Sequence, residues 1–238
     1  MERKPFLVVN PKSYLYGKAS LELALASDKV AKDTGLTVFF TCPYADLRMI
    51  KENTQHIIVT AQSMDPLSPG RGMGHVLGES LKEAGAGAVF LNHAENPKTL
   101  SDLYKTIQHA KELGLITVVC ADSVTEAKAV ACMKPDIVLA EPTDLIGTGQ
   151  VADDSYTTDT CKAIAEIDPD VLVMIASGVS TAQDCYNVVK LGADGTGATS
   201  GILKAPDPKV RVRQMAEAIV KSLERKIVLA KILPYNDF

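Results

Sequence analysis

Apolar residues in this chain fall into short near-continuous runs, and between the runs they return at every third or fourth position. The runs cover residues 6–9, 37–40, 57–61, 88–91, 117–121, 137–140 and 172–176, with a weaker eighth at 195–198. A strand with one wet face alternates apolar and polar residues, whereas a parallel strand covered on both faces reads as a continuous apolar run. The intervening stretches 21–30, 100–113, 124–133, 182–191 and 210–229 carry the helical period. Gly35, Gly85, Gly114 and Gly192 stand where helix C-caps belong. Eight strand–helix units, with no domain-sized insertion or low-complexity linker, predict one α/β domain over residues 1–238, a closed (β/α)8 barrel. A doubly wound open sheet shows the same alternation, so periodicity leaves closure open. The eighth run, Gly195-Thr196-Gly197-Ala198, has little β-propensity and fits a strand least well.

Composition narrows the function classes. Of the 238 residues, 46% are hydrophobic and 23% charged, which supports a full core and excludes disorder. Aromatics make up 5% with no Trp, so the core is expected to be aliphatic. A net charge of −4 suggests no basic surface, so neither nucleic acid nor a membrane is an expected partner. The five cysteines, Cys42, Cys120, Cys132, Cys161 and Cys185, are odd in number and widely spaced, without a CxxC pair. They read as reduced thiols rather than a zinc site or disulfide framework. The apolar run after Lys4-Pro5 is too short for a signal peptide or a membrane span, so the expected location is the cytoplasm.

Barrels carry their chemistry at the carboxyl ends of the strands. Asn10 and Lys12 follow the first run, where a cation could hold a phosphate and a developing oxyanion; otherwise Lys12 is a solvated surface group. His93 follows the fourth run and precedes a turn whose N–H groups would lower the imidazole pKa. A structural histidine is the competing reading. Glu141 ends the sixth run, and burial at an apolar rim would raise its pKa and make it a usable base. The bland alternative is a carboxylate paired with a neighbouring lysine. Segment 142–149 sets an apolar tip between proline and glycine, the pattern of a hinged lid. Ser177, Gly178 and Ser180 after the seventh run, with Thr199, Ser200 and Gly201 after the eighth, would offer converging donors to an anion.

Asn10-x-Lys12, Leu91-Asn92-His93-Ala94-Glu95-Asn96 and Glu141-Pro142-x-x-Leu145-Ile146-Gly147-Thr148-Gly149 together resemble the triose-phosphate isomerase family in its compact archaeal-like form. The likeness runs from about Val8 to Ala218 with the motifs in order. It implies a TIM barrel that interconverts dihydroxyacetone phosphate and glyceraldehyde 3-phosphate through an enediolate, in glycolysis and gluconeogenesis. By the same resemblance Glu141 is the base and His93 the electrophile, a glutamate–neutral histidine pairing for which this family is the standard case. Lys12 binds phosphate and steadies negative charge, Asn10 helps set the oxyanion, and Glu95 is a supporting ion-pair residue. Gly147, Ser180, Ser200 and Gly201 hold the phosphate. The resemblance implies no metal and no organic cofactor, and a homodimer or homotetramer interlocked through the long loop 63–74.

The chain departs from the family pattern at four places. Pro11 replaces an aromatic, Ser63 a histidine, Met73 a threonine, and Gly197 a leucine that packs over the catalytic glutamate. The space left at Gly197 must be filled by another side chain, Met73 or Met174, or by a substrate one carbon longer than a triose. Three readings follow: the triose-phosphate isomerase reaction, a paralogous isomerase of a larger ketose phosphate such as a tetrulose phosphate, and a non-catalytic sugar-phosphate-binding barrel.

Overall fold

A computed structural model describes residues 4–142, 153–176 and 178–232, with side chains up to residue 223. Eight parallel strands close on themselves in the order β1 to β8: β1 (Phe6–Val9), β2 (Thr37–Cys42), β3 (Ile57–Ala61), β4 (Ala88–Leu91), β5 (Ile116–Ala121), β6 (Ile137–Ala140), β7 (Leu172–Ile175) and β8 (Gly195–Ala198). Closure is set by the pairing of β1 with β8, in which Phe6 faces Gly195 and Val8 faces Gly197. The barrel is the TIM fold, and the open-sheet alternative falls with that pairing.

Helices cover the outside: α1 (Gly17–Thr34), α2 (Leu47–Asn53), α3 (Gly78–Glu83), α4 (Leu100–Glu112), α5 (Val124–Ala131), α6 (Asp154–Ala165), α7 (Ala182–Lys190), α8 (Ser200–Leu203) and α9 (Pro208–Ile232). The helical period placed α1, α4, α5, α7 and α9, but not α6. The short α2, α3 and α8 give too few turns to show it. Thr99, Ser123 and Thr181 cap α4, α5 and α7 by accepting from the backbone N–H three residues on. The four glycines expected as C-caps all have positive φ, from 66° at Gly114 to 123° at Gly192.

Alternate residues of each strand point to two separate cores. Leu7, Val9, Val38, Phe40, Val89 and Leu91 pack outward against the helices. Phe6, Val8, Phe39, Phe90, Leu139, Leu172 and Met174 fill the barrel interior, where the Phe6 and Phe39 rings meet edge to face at 5.4 Å. This interior explains the poor β-propensity of β8. A Cβ on Gly195 would lie 2.3 Å from the Phe6 ring, and one on Gly197 would lie 2.5 Å from the Val8 carbonyl oxygen. Glycine is required there so that Phe6, Val8 and Met174 can pack.

At the opposite end of the barrel, carboxylates stitch neighbouring strands. Asp136 Oδ2 accepts from both the backbone N–H and the hydroxyl of Thr117 at 2.8 Å, and Asp194 Oδ2 accepts from the Val173 N–H at 2.8 Å. These bonds hold the scaffold at the face away from the site. No disulfide joins the five cysteines. Among the described residues no helix is long and apolar enough to cross a membrane.

Candidate active site

A cavity of about 530 Å³ opens at the carboxyl end of the barrel, walled by Asn10, Lys12, His93 and Glu141 from three separate strands. Its floor is the interior core: Val8, Phe90, Leu139, Met174 and Gly197. Gly178, Thr199 and Ser200 form the facing side. The result is a small group of ionisable side chains standing on an apolar base.

The chain reverses sharply after β1. Lys12 sits in the left-handed region at φ 47°, a conformation unfavourable for a side chain other than glycine. Two contacts hold it there. The Lys12 N–H donates to Asn10 Oδ1 at 3.0 Å, and the Lys12 carbonyl accepts from Gln62 Nε2 at 2.8 Å. Asn10 is itself fixed by the Thr41 hydroxyl, which donates to the same Oδ1 at 2.5 Å. The ammonium of Lys12, largely covered, meets Glu95 Oε1 at 2.7 Å. That hydrogen bond and the lysine charge hold the Glu95 carboxyl below its ordinary value, against a smaller upward pull from burial.

His93 is aimed by its neighbour. Asn92 is also left-handed, at φ 58°. Its Nδ2 donates to the Cys120 carbonyl at 3.1 Å and its Oδ1 accepts from the Lys98 N–H at 3.0 Å. Strand β4, strand β5 and the loop before α4 are thus tied at one side chain. The Glu95 N–H donates to His93 Nδ1 at 3.1 Å. An accepting Nδ1 carries no proton, so the neutral ring bears its proton on Nε2. Burial, and then the Lys12 charge, push the His93 pKa down and outweigh the opposing pull of Glu95. The imidazole is therefore a neutral hydrogen-bond donor at neutral pH.

Glu141 leaves the end of β6 with its N–H bonded to the Ala121 carbonyl at 2.9 Å. Burial raises its pKa above the usual carboxylate value. Lys12 opposes that shift and Glu95 adds to it. A carboxylate poorly solvated in this way is a stronger base than one in water.

The residues expected at the phosphate divide. Ser200 lines the cavity. Ser200 and Gly201 stand in the first turn of α8, where backbone N–H groups have no intrahelical acceptor. Ser180 lies in the loop behind: its N–H donates to Asp184 Oδ2 at 3.0 Å and its hydroxyl to the Gly178 carbonyl at 3.0 Å. Gly147, Ser177 and most of the expected lid over 142–149 lie outside the described residues. Thr41 and Gln62, which brace Asn10 and Lys12, were not singled out from the sequence. Lys204 at the rim of the cavity was also missed. The space beside Gly197 is not an empty recess. The Met174 methyl group stands 2.9 Å from where a Cβ would be, while Met73 is fully exposed to solvent. Among the described residues no cluster of three His, Cys, Asp or Glu side chains could hold a metal.

A raised carboxylate, a neutral imidazole and an ammonium around one small apolar-floored cavity suit proton transfer at carbon beside a carbonyl. The class so defined is that of the (β/α)8-barrel isomerases. Residues 5–220 match the family described as Triosephosphate isomerase. The triosephosphate isomerase of Methanocaldococcus jannaschii is 36% identical over 218 residues, covering 90% of this chain and 99% of the relative. That of Methanosarcina mazei is 32% identical, covering 90% and 99%. That of Sulfolobus acidocaldarius is 32% identical, covering 94% and 99%. The chain belongs to the triosephosphate isomerase family, whose members are isomerases that interconvert dihydroxyacetone phosphate and glyceraldehyde 3-phosphate.

Proposed function

We propose that this chain performs that interconversion with Glu141 as the base, His93 as the electrophile, and Lys12 and Asn10 as the groups that settle negative charge. The observation that carries the assignment is the convergence of Lys12, His93 and Glu141 on one cavity, with the imidazole neutral and the carboxylate's pKa raised. Glu141 takes the proton from the hydroxyl-bearing carbon of dihydroxyacetone phosphate, and the electron pair passes to the carbonyl oxygen. His93 Nε2–H and the Lys12 ammonium face the oxygen that becomes negative, so the enediolate forms against fixed donors. The proton on Glu141 returns to the adjacent carbon while His93 carries a proton between the two oxygens. Atoms and charge balance without a metal or an organic cofactor.

Lys12, the first-turn N–H groups of Ser200 and Gly201, and Gly147 hold the phosphate in this reading, while Ser180, whose N–H and hydroxyl are taken by Asp184 and Gly178, backs the seat instead of binding as the resemblance implies. Fixing the phosphate brings the reacting carbons to Glu141, and the substrate and the transition state share that binding alike. The reading includes a cytoplasmic homo-oligomer, a dimer or tetramer, using the loop after β3. The fully exposed Met73 supports it, since a large apolar side chain held in water at a loop tip suits burial by a partner copy.

The test is turnover by the purified protein with three-, four- and five-carbon ketose phosphates, in wild type and Glu141→Gln. A triose preference that the variant loses supports the proposal. Preference for a longer ketose phosphate supports the paralogous reading, and binding without turnover a sequestering barrel.

A further inference from the structure

Arg211 lies in the first turn of α9, remote in sequence from every group placed around the reacting carbons. Its guanidinium reaches the loop after β7 and donates from a terminal nitrogen to the Ser180 carbonyl oxygen. The Nε of the same guanidinium is buried with no acceptor among the described residues. Burying part of a guanidinium costs free energy, so an arginine set here only as surface charge is a poor explanation.

The carbonyl it holds matters to what lies beyond. The Ser180 C=O and the Thr181 N–H belong to one planar peptide group. Arg211 fixes the oxygen end, and Asp184 Oδ2 accepts from the Thr181 N–H at 2.8 Å and the Ser180 N–H at 3.0 Å. Two successive peptide planes are pinned. The loop after β8 rests directly on them: a Cβ on Gly201 would lie 2.5 Å from Ser180 Cα and 2.7 Å from the Val179 carbonyl oxygen. Ser200, next along, lines the cavity. Any movement of Ser180 passes straight to Gly201 and Ser200, with no side chain between to absorb it.

We propose that Arg211 is a positioning residue for the phosphate seat. It holds the loop after β7 so that the N–H groups of Ser200 and Gly201 stand at the spacing a phosphate needs. It touches neither substrate nor reacting atoms. The proposal rests on the reading that the loop after β8 holds the phosphate.

Arg211→Met keeps the aliphatic stem and removes the fork. Expected is a rise of about tenfold in KM and in the inhibition constant of inorganic phosphate, with kcat within about twofold, because substrate and transition state carry the same phosphate. Arg211→Lys regains part of the loss, since it restores a donor without the planar geometry. In Arg211→Ala, millimolar methylguanidinium lowers KM again. An arginine that only stabilises the fold lowers the melting temperature and leaves KM and phosphate inhibition unchanged, and that result overturns the proposal. If Arg211→Met does not fold, Arg211→Lys carries the test, and an unchanged KM overturns it. Gly201→Ala checks the premise by forcing the two loops apart. If folded Gly201→Ala binds inorganic phosphate like wild type, the phosphate reading itself fails. If Gly201→Ala weakens phosphate and Arg211→Met does not, only the assignment of Arg211 fails.

Discussion

Replacing Lys12 by methionine keeps the stem that packs at the cavity wall and deletes a charge that Glu95, His93 and Glu141 all feel. A unit charge at about 4 Å from the substrate anion, at an effective dielectric constant of about 20, is worth about 4 kcal/mol. Glu95, in contact with the ammonium at 2.7 Å, offsets part of that. The expected net loss is on the order of 2–3 kcal/mol, or about 30- to 150-fold in kcat/KM. The pH dependence moves as well. Lys12 lowers the pKa of both Glu141 and His93, so both rise when it is removed. The base works deprotonated and the imidazole works neutral, so activity is lost as pH falls through either value. The acid limb of kcat/KM in Lys12→Met must therefore lie at higher pH than in wild type. The assay is a steady-state profile over pH 5 to 9, with inorganic phosphate inhibition measured alongside. Unchanged phosphate inhibition, or an acid limb that stays put or moves down, refutes the placement of Lys12 between the phosphate and the two proton-transfer groups.

Two further outcomes follow from packing and exposure. Gly197→Ala drives a Cβ to 2.5 Å from the Val8 carbonyl oxygen, a backbone atom in a barrel strand, and should lower stability by about 1–3 kcal/mol in urea unfolding; wild-type stability would show that β8 tolerates a side chain there. Met73→Glu puts a charge on the exposed tip of the loop after β3, and sedimentation should show a smaller assembly than wild type; an unchanged mass removes that loop from the interface.

The strands were legible because a barrel strand is covered on both faces and leaves no polar alternation to confuse the pattern, as in Ile137–Ala140. The exception, Gly195–Ala198, gave a weak signal for a reason the period cannot carry: its glycines answer to Phe6, Val8 and Met174, which are distant in sequence. Lys12, His93 and Glu141 were legible as polar residues ending apolar runs. What holds them was not. The left-handed turns at Lys12 and Asn92 are built by side chains whose partners, Thr41, Gln62, Cys120 and Lys98, meet them only once the barrel closes. Of the fillers expected beside Gly197, Met174 on the neighbouring strand is the one in place, and Met73 stands in solvent. Arg211 gave no signal, since an arginine near the start of a surface helix looks like any solvated charge.

A proton that Glu141 removes from carbon becomes exchangeable with solvent. Wild type incubated with dihydroxyacetone phosphate in D2O should place deuterium on the hydroxyl-bearing carbon, followed by proton NMR. Glu141→Gln keeps the shape and the Ala121 backbone bond but has no basic oxygen, and its exchange rate should fall by about 10²–10⁴-fold. Exchange in the variant at the wild-type rate would mean that another group takes the proton and that Glu141 is not the base.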